Sequence, residues 1–314
     1  MLLEDLIVVL KVAEFRSITA AATNLDMRTA TASAAVKRVE AYLGAELFVR
    51  TTRHLRVSSA GERYLPQCEQ ALKVLEQAKL NIRADLDIID GELRISTSSD
   101  LGRHLVTPWL DEFMDTYPKV SLRSVISDSN LDFYRDAVDV ALRYGSPTDS
   151  NMFGFKICNV PRLLCASPAY IKQFGEPTNP DELASHNGLF YQLHDTLQDV
   201  WTFNQGKQQQ KVRLTGNRAS NDGDLVRRWC VGGKGIAVKS CLDMSTDLLA
   251  GRVVPVMQNY QPSATELWLI CPSRQTITPA VRELRQLFRA KTESILQQLL
   301  QQKMIEPSAL LLNG

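Results

Sequence analysis

Thr29, Thr31, Ser33, Lys37 and Arg38 fall close together, with Arg28 just before them and Ala30, Ala34 and Ala41 interleaved. Short hydroxyls can hydrogen-bond base edges or phosphate oxygens, and the cations can pair with phosphate or guanine. The alanines keep that side of a helix thin enough to enter a groove. Arg50, Arg53 and Arg56 follow. From Arg28 to Arg56 six cations stand against two anions, Glu40 and Glu46, a local excess of four in a chain whose formal net charge is only +1. A near-zero total does not exclude nucleic acid, because DNA responds to local charge. A solvated basic face is the bland alternative. Catalytic chemistry has no comparable pattern. G-x-S-x-G, H-E-x-x-H and the P-loop motif are all missing from the sequence. Gly232-Gly233-Lys234-Gly235 follows an expected helix and enters an expected strand, the reverse of a phosphate-binding loop.

The elements that must position these residues are legible. Leu3 to Ala13 reads as a short helix, Ser17 to Ala22 begins a second, and Leu25-Asp26-Met27 is a turn. Ala32, Val36, Val39 and Leu43 then recur at helical spacing, one apolar stripe on a helix of about fourteen residues that should pack on Leu6, Leu10, Ala21, Ala22 and Leu25. The polar side described above is left outward. Leu47-Phe48-Val49 reads as a strand leading into a basic hairpin, Arg50 to Val57, with Phe48 as its buried anchor. Together these make a winged helix-turn-helix, which places one helix in the DNA major groove. The expected DNA contacts are Arg28, Thr29, Thr31, Ser33, Ala34, Lys37, Arg38, Arg50, Arg53 and Arg56.

The residues carrying this pattern resemble those of the LysR-type bacterial transcriptional regulators. They are Phe15 to Ala22, Leu25, Ser33, Val36-Lys37-Arg38-Val39-Glu40, Leu43-Gly44, Leu47 to Thr51, Arg53 and Ser58 to Gly61. The chain departs from the family with Val9 for Phe, Val39 for Leu, and Thr29 where Gln is usual. At position 29 a short hydroxyl replaces an amide able to make two bonds to one base. The resemblance implies an α/β multidomain protein: an N-terminal winged helix-turn-helix (1–58), a long linker helix and hinge (59–90), and a C-terminal effector domain (91–302). That last domain resembles the type II periplasmic-binding-protein fold. Its first subdomain would take about 91–160 plus 267–302 and its second about 161–266, with a cleft for a small molecule between them. Residues 303–314 read as a loose tail. The implied partners are double-stranded DNA carrying an inverted repeat, a second copy of the chain, a homotetramer that bends DNA, and RNA polymerase.

Ser59 and Glu62 have capping-box spacing at the start of the linker helix. From there Leu65, Cys68, Leu72, Leu75, Lys79, Ile82 and Leu86 alternate three and four apart, the seam of a coiled coil and the expected route to a homodimer. Pro66 is tolerated only near the helix start. The alternative is a helix packed on its own regulatory domain.

Beyond Glu92 strands and helices alternate, which predicts a mostly parallel α/β sheet. The strands are Leu93–Thr97, Val120–Ile126, Val138–Leu142, Leu163–Ala166, Gly188–Tyr191, Val212–Leu214, Ile236–Val238 and Leu267–Cys271. The helices are Leu101–Tyr117, Asn130–Asp136, Asp222–Val231 and Pro279–Gln302. Thr97, Ser98, Ser99 and Asp100 sit between a strand and a helix start, where backbone donors and hydroxyls suit a carboxylate or other oxyanion. Ser220, Asn221 and Asp222 hold the similar place in the second subdomain. Asp128, with Ser127 and Ser129, and Ser167 would be walls, and Arg143 the counter-charge. Helix capping alone selects the same residue types.

No cofactor or metal is expected. The six cysteines lack a C-x-x-C pair, and the four histidines lack ligand spacing. Cys230 is a candidate redox sensor if exposed and acidified, and otherwise a buried small hydrophobe. Glu4 and Asp5 stand where a cationic leader would be, and no uncharged run approaches the roughly 20 residues needed to span a bilayer. A cytoplasmic, nucleoid-associated bacterial protein is expected. The alternative functions are an enzyme, or a solute-binding or redox-sensing module with nonspecific DNA affinity.

Overall fold

A computed structural model describes residues 2–50, 55–84, 89–129, 133, 138–147, 149, 151–193, 196–206 and 208–307, without the side chains of 50, 73, 76, 77 and 79–84. The wing tip with Arg53, the Arg50 side chain, the helix expected at Asn130–Asp136, the seam positions Lys79, Ile82 and Leu86, and the tail beyond 307 therefore lie outside the described residues. The chain divides into two units, Met1–Ile82 and Arg83–Gly314.

The first unit contains α1 (Leu3–Phe15), α2 (Ile18–Asn24), α3 (Thr29–Leu43), β1 (Phe48–Arg50), β2 (Leu55–Val57) and α4 (Ser59–Ala84). Ser17 caps α2 by accepting from the Ala20 amide at 3.2 Å. The turn into α3 places Asp26 at φ 49°. Gly44, at φ 65°, ends α3 in the left-handed conformation that costs glycine least. Ala32, Ala35, Val36 and Val39 are buried from α3, against Leu6, Val9 and Val12 of α1 and Ala21 and Ala22 of α2. β1 and β2 pair antiparallel, Phe48 opposite Val57, and Phe48 is buried as expected.

Two expectations for α4 need correction. Its cap is Ser58, not Ser59: the Ser58 hydroxyl accepts from the Gly61 amide at 3.0 Å and donates to the Glu46 carbonyl at 2.6 Å. Leu65 and Cys68, read as dimer seam, are instead buried in the core of their own DNA-binding unit, with Tyr64 and Leu72 packed beside them. The helix continues through Pro66, which removes a hydrogen bond to the Glu62 carbonyl. Val74 and Leu75, farther along, are half exposed.

Gly61 sits where α4 crosses the wing. A methyl group there would collide with the Leu47 carbonyl oxygen and lie 2.7 Å from Val57 Cγ1. Gly61→Ala is expected to cost about 1–3 kcal/mol of stability and to displace the wing. A lowered thermal midpoint together with weaker DNA binding is the expected reading.

The second unit begins with β3 (Gly91–Thr97), α5 (Ser99–Leu101), a π-helical turn over Gly102–Val106, and α6 (Thr107–Thr116), one continuous helical stretch ended before Pro118. Then come β4 (Val120–Ile126), β5 (Val140–Tyr144), β6 (Phe153–Val160), β7 (Arg162–Ala166), α7 (Pro168–Phe174), β8 (Leu189–Leu193), β9 (Thr196–Leu197), β10 (Val200–Gln205), β11 (Gln208–Arg213), β12 (Arg218–Ser220) and α8 (Gly223–Val231). β13 (Ala237–Ser240), α9 (Ser245–Leu249), β14 (Val254–Val256), β15 (Gln261–Pro262), β16 (Thr265–Cys271) and α10 (Pro279–Gln301) complete it.

The sheet is mixed rather than mostly parallel. In the five-stranded sheet the order is β4-β3-β5-β16-β6. β3 runs parallel to β4 and β5, but β16 runs antiparallel to β5 and β6. One face is buried by α6 and α10, which share a core with Val140, Leu142, Leu267 and Leu269, while Ala141 and Ile270 on the other face pack with Phe133 and Val138. Along α10, Val281, Leu284, Phe288, Leu296 and Leu299 form an inward stripe. Three smaller sheets, β11-β10-β15, β12-β8-β9 and β13-β7-β14, belong to the second subdomain and surround a separate core containing Leu164, Phe190 and Phe203. The chain crosses between subdomains after β6 and again before β16. Residues 303–307, read as loose tail, are anchored: Ile305 is buried and Met304 packs on the core.

Candidate functional site

The outward side of α3 carries the expected DNA contacts. Arg28 is its N-cap residue and makes no side-chain cap, and Thr29, Ala30, Thr31, Ala34 and Lys37 are exposed, with Ser33 half-buried. Uncapped amides at a helix N-terminus favour a phosphate oxygen. Arg56 is exposed on β2. Arg38 has a different role from the one its type indicates. Its guanidinium grips the buried Asp5 carboxylate of α1, Nη2 to Oδ1 at 2.5 Å and Nε to Oδ2 at 3.1 Å, while the side chain stays 52% exposed. It ties α1 to α3 and keeps only a partial claim on DNA. Glu40, which sequence reasoning passed over, is a positioning residue. Its Oε1 accepts from the Leu47 and Phe48 amides at 2.8 and 3.2 Å, pinning the wing to α3.

In the second unit a cavity of about 610 Å³ opens between the subdomains, and Ser98, Asp100, Asp128 and Arg143 line it. The remaining expected contacts are placed otherwise. Thr97 is buried. The Ser99 hydroxyl donates to Asp128 Oδ2 at 2.5 Å and accepts from the Asp224 amide at 3.2 Å. Ser167 caps α7 through the Tyr170 amide, Ser220 accepts from the Asp222 amide, and Asn221 is exposed. None of the three is among the described residues lining the cavity.

The two helix starts meant for an oxyanion are already occupied. Asp128 accepts from the Ser99 amide at 2.6 Å and from the Gly223 amide at 2.7 Å. An internal carboxylate thus satisfies donors of both subdomains. Arg103 reaches Asp222 at 2.8 Å, and His104 Nε2 lies 2.5 Å from Asp224. These contacts join the π-helical turn of the first subdomain to the N-terminal end of α8.

Several cavity groups were not legible in sequence. Lys239 of β13 is buried and pairs across the cleft with Asp100, and it also donates to the Gly223 carbonyl at 3.0 Å. Burial works against its charge, but the Asp100 and Asp243 carboxylates outweigh that and hold its pKa above the ordinary lysine value. Tyr144 lies 2.7 Å from both the Ser240 hydroxyl and Asp243 Oδ1. Burial, then the charge of Asp100, raises Asp243 to about 7. Arg162, at the crossing into the second subdomain, also lines the cavity. Burial lowers the pKa of Arg143, whereas Arg162 is exposed at the start of β7. Arg143 is held by the Ser127 carbonyl and, at 2.8 Å, by the Ser96 hydroxyl.

Cys230 is not placed as a sensor. It is fully buried, its thiol donates to the Cys165 carbonyl at 3.3 Å, and burial pushes it up to about 12. The thiolate that reacts with oxidants is therefore suppressed. Cys230→Ala is expected to cost roughly 1 kcal/mol through lost packing and to leave any peroxide effect on DNA binding unchanged, as a gel shift with and without peroxide would show. Among the described residues no group of three His, Cys, Asp or Glu could hold a metal, and no helix is long and apolar enough to cross a membrane.

Known proteins share both halves of this arrangement. Residues 3–62 match the family model for the bacterial regulatory helix-turn-helix protein, lysR family, and residues 88–293 match the LysR substrate binding domain. The chain is 31% identical to the HTH-type transcriptional regulator DmlR of Escherichia coli K12, over 90% of this chain and 91% of that one. It is 27% identical to the HTH-type transcriptional activator TtdR of the same strain, over 86% of each. Among solved structures, CrgA, a LysR-type transcriptional regulator from Neisseria meningitidis, superposes with a TM-score of 0.60 at 26% identity, covering 92% of this chain and 98% of that one. These relatives are regulators rather than enzymes. With a helix-turn-helix in one unit and a lined cleft in the other, the chain belongs to the LysR family and is a DNA-binding transcriptional regulator with an effector-binding domain.

Proposed function

We propose that the outward face of α3 enters the major groove, with Thr29, Ala30, Ser33 and Ala34 at the base edges and Arg28 and Lys37 on the backbone, while Arg56 and the wing follow the adjacent phosphates. The observation that carries this is the division of α3. One side is buried in its own core, and the other leaves to solvent small residues, hydroxyls and a lysine with no ion-pair partner among the described residues. Two copies read an inverted repeat. They associate through the distal part of α4, where Val74 and Leu75 are half exposed, and not through Leu65 and Cys68. Pairs of dimers form a tetramer, act in the cytoplasm and communicate with RNA polymerase. A small anionic molecule in the cleft shifts the balance between assemblies that hold DNA at different bends. Arg143 supplies its counter-charge.

Hydroxyl-radical footprinting of genomic fragments selected by the protein tests the reading. Two protected half-sites separated by about one or two helical turns are expected. Continuous, sequence-independent protection would contradict it. Arg143→Gln is expected to abolish the effector's influence on the footprint while leaving protection without effector intact.

A further inference from the structure

Three carboxylates, Asp100, Asp128 and Asp243, and three cations, Lys239, Arg143 and Arg162, line the cleft, but their hydrogen bonds are unevenly shared. Lys239 is paired with Asp100. Asp128 is satisfied by the Ser99 amide and hydroxyl and by the Gly223 amide. Asp243 accepts from Tyr144. Two guanidinium groups remain. Arg143 is hydrogen-bonded only to the Ser127 carbonyl and the Ser96 hydroxyl, which are neutral, so part of its five-donor fork stays free. The Arg162 side chain makes no hydrogen bond or ion pair among the described residues, and both arginines line the same cavity.

The two stand on different subdomains. Arg143 lies in the field of Asp128 and Tyr191, and Arg162 in that of Asp243 and Tyr144. Tyr144, bonded across the cleft to Ser240 and Asp243, belongs to the wall near Arg162. Arg143 comes from β5 of the first subdomain, and Arg162 opens β7 of the second. Arg143 is half-buried and Arg162 exposed, neither side chain is hydrogen-bonded to a carboxylate of the described residues, and a guanidinium with free donors matches a carboxylate with two parallel hydrogen bonds.

We propose that the cleft takes a small organic acid with two carboxylate groups, one held by Arg143 and the other by Arg162, so that the ligand bridges the two subdomains. This rests on the cleft being the effector site, as proposed above. A mono-acid satisfies one arginine and touches one subdomain. A diacid satisfies both and adds a tie to those already crossing between Asp100 and Lys239 and between Asp128 and the Gly223 amide. The count of carboxylates, rather than carbon skeleton alone, thereby separates effector from non-effector.

The test is calorimetric titration of the full chain, at constant ionic strength, with malonate, succinate, glutarate and adipate. Butyrate, monomethyl succinate and inorganic phosphate are the comparators. At least one diacid is expected to bind tenfold or more tighter than its mono-acid counterpart. Arg143→Gln and Arg162→Gln should each reduce it to mono-acid level, with unfolding midpoints in the absence of ligand confirming that both variants fold. Absence of binding by all four diacids would overturn the proposal. So would equal binding of phosphate or butyrate, or diacid binding indifferent to either substitution. A neutral metabolite that alters DNA binding regardless of the two arginines would sink the diacid assignment and leave the cleft as effector site. Failure of every metabolite to alter DNA binding would sink that underlying reading instead.

Discussion

Lys37→Ala, which removes a cation from the DNA backbone, is expected to weaken binding to operator and non-operator duplex alike and to lower the salt slope by about one per half-site, without changing stability. Lys37 is exposed on α3 and has no ion-pair partner among the described residues, so its removal strands nothing inside the protein. Arg38, one position on, gives a contrasting result. Its loss leaves Asp5 buried without its partner. The hydrogen bond from Arg38 is the main cause that lowers the Asp5 pKa, against the opposing effect of burial. A carboxyl lowered on folding contributes stability that is present above its unfolded pKa, about 3.9, and is lost as pH falls through the folded value. Urea unfolding at pH 7 should therefore show Arg38→Ala less stable than the parent, with the difference shrinking as pH drops below about 4. Adding Asp5→Asn should restore much of the loss. If Lys37→Ala unfolds as readily as Arg38→Ala, the assignment of the two faces is wrong.

The largest effect on the regulatory unit is expected from Lys239→Met. Lys239 and Asp100 are 8% and 4% exposed. Removing one member of a buried ion pair typically costs about 3–5 kcal/mol, because the other charge loses its partner. For a unit of this size that lowers the thermal midpoint by on the order of 10 °C. Replacing both residues, Lys239→Met with Asp100→Asn, should recover most of the stability, since two neutral groups carry no such penalty. Scanning calorimetry of the three variants measures this directly. A single variant as stable as the parent would mean that the pair is open to water and does not join the subdomains.

The first unit was legible in the sequence because its signals are local. Ala32, Val36 and Val39 repeat within one helix, and the same spacing that buries them leaves Lys37 outside. The tie between Arg38 and Asp5 was not legible because the two are 33 residues apart, and no spacing rule links α1 to α3. The seam on α4 failed at Leu65 and Cys68 for a related reason. Heptad spacing reports an apolar stripe and does not say what covers it. In the second unit the strand β3 and the capping residues were found, while β6 and β10 were missed, and the mixed sheet was not foreseen. The direction of β16 is fixed by a chain that leaves the first subdomain after β6 and returns only at Thr265. The cleft divides along the same line. Ser98, Asp100 and Arg143 sit at strand ends, where a ligand site is anticipated. Lys239, Asp243 and Arg162 reach the cavity only through that crossing, and the one visible hint was a cation directly after Pro161 at a strand start.

The central claim is that α3 reads a duplex sequence. Its most direct test is fluorescence titration of a selected operator against a shuffled fragment of equal length, at several salt concentrations, for the parent and Lys37→Ala. Much tighter operator binding is expected, with affinity falling steeply as salt rises and a slope shallower by about one per half-site in the variant. Equal affinity for the two fragments, with slopes unaffected by Lys37→Ala, would contradict it.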